Sequence, residues 1–332
     1  MAVLLGRPVR AALVAASDDP VILGFWLRNF AATVGPDVDA LHLAINGPHA
    51  DDVAQGLVTP TGYALVVQTY PERRDHGWCL RRLYDANGAE ALLFLETDAW
   101  FRRDLVAAGW FATIESGRVD AIGSPRHPAS PELIAAAERR WGLLSAGEDQ
   151  GTALWPCFLT ASRAAIDGTD RHFGARAYPA RTLVPGLGMF FPEATTDETF
   201  VGVSWQLRDA KARIRLVPQH RVARGTLCRP EGSAWFHAGS LSVAFGMAWG
   251  EVENEGTLRG VPEDEMARRC ALWDIIADLS PRSDRRIVFA ATLAGMVARL
   301  GIGADLIEGW RAYYAPWFQR LDDPTRSIAD VA

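Results

Sequence analysis

Leu92-Leu93-Phe94-Leu95-Glu96-Thr97-Asp98 is the stretch on which the reading of the whole chain turns. Four large apolar residues in a row suit a strand buried on both faces, and such a strand cannot run on into two carboxylates without leaving the core. The strand therefore ends at Leu95, and both acids emerge at its carboxyl end. Extended alternation points Glu96 and Asp98 the same way. Two hard oxygen donors on one side suit Mg²⁺ or Mn²⁺, which are held by carboxylates together with water and substrate phosphates. A solvated turn, or a helix cap made by Asp98, is the plainer alternative.

Toward the N-terminus the pattern alternates apolar runs with amphipathic stretches, the mark of βαβ units around a largely parallel sheet. Strands are expected at 9–15, 41–45, 63–67 and 92–95, with helices over 20–34 and 78–87. Ser17-Asp18-Asp19-Pro20 caps the first helix, because a short polar side chain ahead of Pro serves the free N–H groups of the first turn. Asn46-Gly47-Pro48 ends the second strand. In this architecture a ligand sits outside the carboxyl ends of the strands. Beyond Asp98, strands are expected at 119–122, 154–159 and 214–217, and helices at 131–144 and 197–210. Residues 173–193 are rich in Gly and Pro, lack a period, and read as a long loop over a site. From about 262 to 320 apolar residues recur at helical spacing. The fold class is thus α/β, with one domain over 1–250 (a first half, 1–100, whose spacing matches a nucleotide-binding half-domain, and a second half, 101–250) and a separate α-helical appendage over 260–332.

Composition narrows the function. Among 332 residues, 34 basic and 40 acidic side chains give a net charge of −6, which disfavours nucleic acid as the main partner and as acceptor. The four cysteines, Cys79, Cys157, Cys228 and Cys270, form no C-x-x-C pair and read as buried free thiols. Arg7 and Arg10 interrupt the apolar start, so no signal peptide is expected, and no later run is long enough to cross a bilayer. The reading is a cytoplasmic protein.

The order strand, Ser17-Asp18 loop, strand ending at Asn46, helix opening with His76-Gly77-Trp78, then Glu96-Thr97-Asp98 resembles the nucleotide-binding half of GT-A glycosyltransferases, particularly the family-2-like group. The fold it implies is a Rossmann-like, mixed but mostly parallel sheet flanked by helices. In that family the loop after the first strand and a polar residue ending the second hold the nucleoside, and a D-x-D motif carries the divalent cation bridging the diphosphate. Ala16, Ser17, Asp18 and Asn46 occupy the first places and Asp98 the last; Glu96 stands where the family commonly has Asp. Further on, Leu154 to Ser162 resembles the strand lining donor and acceptor sugars. Asp197-Glu198 resembles the catalytic acidic pair, and His237 the C-terminal histidine that faces the cation.

The resemblance covers residues 9–245. It implies a metal-dependent transferase that moves a sugar from a nucleoside-diphosphate sugar, a UDP-sugar being favoured, to a hydroxyl-bearing acceptor. Mn²⁺ or Mg²⁺ would be held by Asp98 and His237, with Glu96 in question. Asp197, or its rival Glu198, would act as general base, giving inversion. Without the resemblance, Asp197 and Glu198 are ordinary helix caps and His237 a structural histidine. Arg73, Arg74, Arg81 and Arg82 are candidates to neutralise the diphosphate, since a guanidinium binds phosphate oxygens bidentately. With His76, Gly77 and Thr97 they complete the donor candidates. Trp78, Trp100, Trp155 and Trp235 fall near strand ends, where an aromatic face can stack on a sugar or base. His127 follows a strand end and is the next histidine of interest. Gly186-Leu187-Gly188 is no dinucleotide fingerprint, since it opens no helix and lacks the third glycine. Two alternatives remain. A sugar nucleotidyltransferase would need a basic, glycine-rich loop after the first strand, where Ala16-Ser17-Asp18-Asp19-Pro20 stands. A non-catalytic nucleotide-sugar-binding module would keep the fold without turnover.

Overall fold

β4 (Ala91–Leu95) is buried at all five positions, as its unbroken apolar run demands. It lies in a computed structural model that describes residues 8–57, 62–101, 107–126, 130–147, 149–217, 235–237, 262–279, 291, 294–295, 297–298 and 300–322. Among these, the backbone alone is described at 21, 107–108, 235–237, 276–277, 279 and 316–322. β4 pairs in parallel with β1 (Arg10–Ser17), from Arg10 opposite Ala91 to Val14 opposite Leu95. β2 (Ala40–Asn46) and β3 (Ala64–Tyr70) continue the sheet on the far side of β1. On the far side of β4 run β9 (Ala153–Ser162), β6 (Ala121–Arg126) and β14 (Ile214–Leu216). β9 is antiparallel to both neighbours, while β14 and β6 are parallel, so the seven-stranded sheet is mixed and mostly parallel.

Strand order reverses at β1. The chain steps from β1 to β2 to β3 in one direction and returns at β4 on the opposite side of β1. That reversal is a topological switch point, and the two strands that flank it, β1 and β4, end at Ser17 and Leu95.

The chain forms two compact units. The first, built from 1–16, 34–96 and 106–220, holds the sheet. One sheet face is covered by α3 (His76–Ala86), α6 (Arg163–Asp167) and α7 (Val201–Asp209), whose Leu80, Leu83, Ile166, Val203 and Leu207 meet Leu13, Leu92, Phe94 and Leu159. On β9, the intervening Phe158 meets Trp110 of α4 (Ala107–Glu115), ring centroids 4.2 Å apart. α4 was not anticipated: Ala-Ala-Gly-Trp-Phe-Ala-Thr-Ile-Glu has no polar stripe, so no helical period shows. α2 (Ala50–Gln55), α5 (Pro131–Trp141) and the antiparallel pair β7 (Leu144–Ala146) and β8 (Asp149–Gly151) also belong to this unit.

The second unit is assembled from 17–33, 97–105 and 221–332. α1 (Pro20–Thr33) starts as expected, with Asp19 Oδ1 accepting from the Ile22 N–H at 2.9 Å. It contacts α8 (Glu263–Leu279) and α9 (Ala304–Asp322), the C-terminal helices, which group with α1 in this unit. Trp310 Nε1 on α9 donates to Asp264 Oδ1 on α8 at 3.0 Å.

Two further expectations are corrected. Residues 173–193 are not structureless: they carry β10 (Arg176–Tyr178), β11 (Leu183–Val184) and β12 (Met189–Phe190), and β10 pairs with β13 (Thr195–Asp197). The helix expected from Asp197 begins only at Val201. Pairing with Arg176 keeps Asp197 extended, and Phe200, at φ 69°, turns the chain into the helix. A left-handed non-glycine costs about 1–2 kcal/mol. Phe200 is buried and stacked on Phe173 (4.9 Å, 10°), which offsets that cost.

In the second unit, α1 also grips β5 (Ala99–Phe101), the strand that follows Asp98. Asn29 Nδ2 donates to Phe101 O and Asn29 Oδ1 accepts from Phe101 N, both at 2.9 Å, and Trp26 Nε1 donates to Ala99 O at 3.0 Å. Asn29 is 1% exposed, so its loss leaves a buried N–H and C=O unserved. Asn29→Ala is expected to destabilise the protein by about 2–4 kcal/mol in urea unfolding, whereas a change under about 0.5 kcal/mol would show the clamp to be unimportant.

Candidate active site

Backbone groups on a strand face alternate edges. Those of Ala99 and Phe101 face α1, which leaves Trp100 for the other edge, where β15 (Trp235–His237) pairs antiparallel. The register sets Phe236 opposite Trp100 and His237 opposite Ala99. His237 is thereby placed one pairing step from Asp98, although 139 residues separate them in sequence. The side chains of His237 and Trp235 lie outside the described residues, as do His127 and Cys228.

The two acids of the triplet differ. Glu96 is half-buried, and its Oε2 accepts from the Cys157 thiol at 2.7 Å. Thr97 and Asp98 form the turn into β5 and are half-buried. Among the described residues no group of three or more His, Cys, Asp or Glu is gathered for a metal ion. The donor set still fits Mg²⁺ or Mn²⁺, which take one or two carboxylates and complete their shell with water and substrate phosphates; Asp98, half-buried in the turn before β5, is such a carboxylate. Cys79, Cys157 and Cys270 are buried thiols in no disulfide, as expected.

At the donor candidates the structure assigns several side chains to scaffolding. Ala16 and Asp18 are buried (3% exposed each), and Ser17 is half-buried. Asn46 holds the loop after β3: its Nδ2 donates to Arg74 O at 2.7 Å and its Oδ1 accepts from Arg74 N at 2.8 Å. The Asn46 amide thus positions Arg74. Arg74 pairs with Glu72 at 2.5 Å and lies over the exposed Trp78 ring, 5.6 Å from its centroid, with Arg82 at 5.7 Å. Arg73 is exposed in the same loop. Arg81 is committed to Asp85 (2.7 Å) and to Arg171 O (3.2 Å). The buried His76 Nε2 has no hydrogen-bond partner. Gly77 is required by close packing, since a Cβ there would lie 1.9 Å from the Gly174 nitrogen. Trp100 is wholly buried against Phe25, so it cannot stack on a ligand.

Asp197 and Glu198 are adjacent and unlike. Asp197 is 3% exposed; Oδ1 accepts from the Arg176 N–H at 2.8 Å and Oδ2 from the Tyr178 hydroxyl at 2.6 Å. Burial pushes its carboxyl above the usual range, against the opposing pull of those hydrogen bonds. Glu198 has a side chain 39% exposed and forms an ion pair with Arg126 at the end of β6. The Arg126 guanidinium lies 5.4 Å from the ring centroid of Trp155, near the start of β9, so Arg126, Trp155 and Glu198 cluster at the sheet's carboxyl edge.

The sequence reading missed Arg126, Asn29, Trp26, Tyr178 and the role of Cys157. Only Asn29 left a signal, the lone amide in a Pro-Val-Ile-Leu-Gly-Phe-Trp-Leu-Arg-Asn-Phe-Ala-Ala-Thr helix whose other polar residues are Arg28 and Thr33.

No protein-family model and no curated protein matches this sequence. Solved structures similar to it include the mannosyltransferase PcManGT from Pyrobaculum calidifontis in complex with GDP-Man and Mn²⁺ (11% identity, 96% of this chain and 88% of that one, TM-score 0.42). Glucosyl-3-phosphoglycerate synthase from Mycobacterium tuberculosis is similar at 16% identity (64% and 70%, TM-score 0.36). S. aureus TarS 1–349 in complex with UDP-GlcNAc is similar at 10% identity (95% and 82%, TM-score 0.40). No helix among the described residues is long and apolar enough to cross a membrane.

The state of Asp197 has a measurable consequence. An aspartate whose folded pKa exceeds its unfolded value of about 3.9 binds more protons when folded, so its contribution is present below about pH 4 and is lost as pH rises through the folded pKa. Asn at this position has no such dependence. Urea unfolding of the wild type and Asp197→Asn should therefore show the variant gaining on the wild type as pH rises from 4 to 7, and a pH-independent difference would contradict the assignment.

Proposed function

We propose that this protein is a divalent-cation-dependent glycosyltransferase that moves a sugar from a nucleoside-diphosphate sugar to an acceptor hydroxyl with inversion. The observation that carries the reading is the register of β15 on β5, which sets His237 opposite the Ala99 that follows Asp98. GDP-Man and UDP-GlcNAc, held in two of the similar structures, are of the donor class proposed.

Asp98 and His237 would hold Mn²⁺ or Mg²⁺, with Glu96 reserved by Cys157 for shaping the turn. The bound cation would supply Lewis-acid neutralisation of charge on the departing diphosphate. Arg73 and Arg74, presented by the loop that Asn46 fixes, are the cationic side chains for diphosphate oxygens. Glu198 is the general base. It is accessible where Asp197 is enclosed, and the guanidinium of Arg126 favours its ionised form. Its carboxylate takes the proton of the acceptor hydroxyl as that oxygen attacks the anomeric carbon opposite the leaving group. A positioned base contributes about 10²–10⁴-fold.

The test uses thermal shift with UDP- and GDP-sugars and Mn²⁺, together with release of nucleoside diphosphate. Asp98→Asn should abolish the Mn²⁺-dependent shift given by the wild type. Glu198→Gln should keep that shift and lose about 100-fold or more in turnover. Turnover unchanged in Glu198→Gln would remove it as the base, and unchanged metal-dependent binding in Asp98→Asn would remove the cation assignment.

A further inference from the structure

A cavity of about 490 Å³ opens on the sheet-bearing unit where the N-terminus of α5 meets β10 and β13. Its size falls in the range of about 300–1,000 Å³ usual for small-ligand sites. Ser130, Glu132, Tyr178, Pro179, Thr195 and Thr196 are among the residues around it.

The polar lining has a definite sense. Thr195 Oγ1 donates to Ser130 Oγ at 2.8 Å, and Ser130 Oγ donates to Glu132 Oε2 at 2.6 Å. Both hydroxyl protons are thereby spent inside the wall. A carboxylate accepts at about four lone-pair sites, of which Ser130 fills one, so the wall offers mainly acceptors. A complementary ligand must bring donors.

Charge excludes several classes. An open helix N-terminus ordinarily draws an anion. Here Glu132 occupies the first turn, its carboxyl held below the usual range by the Ser130 hydrogen bond, and among the described residues no Lys, Arg or His lines the cavity. A phosphate or carboxylate would meet a fixed negative charge. Pro179 is exposed at the wall and supplies an apolar surface of the kind that C–H faces of a pyranose cover. The cavity also lies close to the proposed base along the chain: Glu198 follows Thr196 by two residues, at most about 7 Å of extended backbone.

We propose that this cavity is the acceptor subsite and that it takes a neutral, hydroxyl-rich ring, a sugar residue, whose hydroxyls donate to Glu132 and to the Ser130 and Thr195 oxygens. The assignment rests on the transferase reading for its role, but sugar binding there is testable without turnover. Saturation-transfer NMR on the full chain would use the methyl glycosides of glucose, mannose, galactose and N-acetylglucosamine, with glucosamine and glucose 6-phosphate as charged counter-probes. At least one neutral glycoside should bind the wild type. Glu132→Gln should weaken it about tenfold, and Thr196→Trp, which fills the cavity from an exposed position, should abolish it. Binding that survives both substitutions, absence of binding by every neutral glycoside, or binding of the charged probes alone would overturn the proposal. The donor shift of the wild type with Mn²⁺, measured in parallel, separates the two readings. Glycoside binding without a donor shift leaves a sugar site and refutes the transferase; a donor shift without glycoside binding does the reverse.

Discussion

The grip of α1 on the backbone of β5 is the interaction from which the proposed chemistry descends. A three-residue strand has too few hydrogen bonds to hold its own conformation, and chain entropy opposes ordering it by roughly 1–2 kcal/mol per residue. Asn29 supplies a donor and an acceptor to Phe101, and Trp26 a donor to Ala99, so two side chains stand in for a neighbouring strand on one edge. The opposite edge is then free to set the register of β15. The turn Glu96-Thr97-Asp98 is tethered at both ends, by the buried β4 before it and by β5 after it.

Asp197 and Glu198 illustrate how one residue of separation decides chemistry. Taking a carboxylate out of water is tolerated only when hydrogen bonds replace its hydration, and Arg176 N–H and the Tyr178 hydroxyl do this for Asp197. The same burial that calls for these contacts leaves Asp197 only 3% exposed, closed to an incoming hydroxyl. Glu198 keeps solvent access and is balanced by a guanidinium that itself lies over an indole. Asp197 thus anchors β10 to β13, and that anchor fixes the segment from which Glu198 projects.

The sheet was largely legible in the sequence because period and burial coincide there: β1, β2, β4 and α3 lie within two residues of where the apolar pattern sets them. β3 runs three residues further than its apolar core, carried by pairing with β2 up to Asn46 opposite Tyr70. What pattern cannot carry is long-range. β5 exists through partners at positions 26, 29 and 235–237, and the pairing of Asp197 depends on residue 176. Asn46 was legible as a polar strand terminus, but only the fold shows its amide spent on Arg74. A strong acidic pair ahead of an amphipathic run reads as a helix start, and the left-handed Phe200 overrides that reading through aromatic stacking.

The interleaving of the two units bears on how the molecule can be dissected. Because 17–33 and 97–105 are inserts within the sheet-bearing half, no single cut yields either unit as a contiguous polypeptide. A truncation before residue 221 would strip the apolar α1 and β5 of the helices they group with while leaving both in the fragment, exposing surface that invites aggregation. Loss of solubility in such a fragment would therefore report stranded core rather than a misfolded sheet.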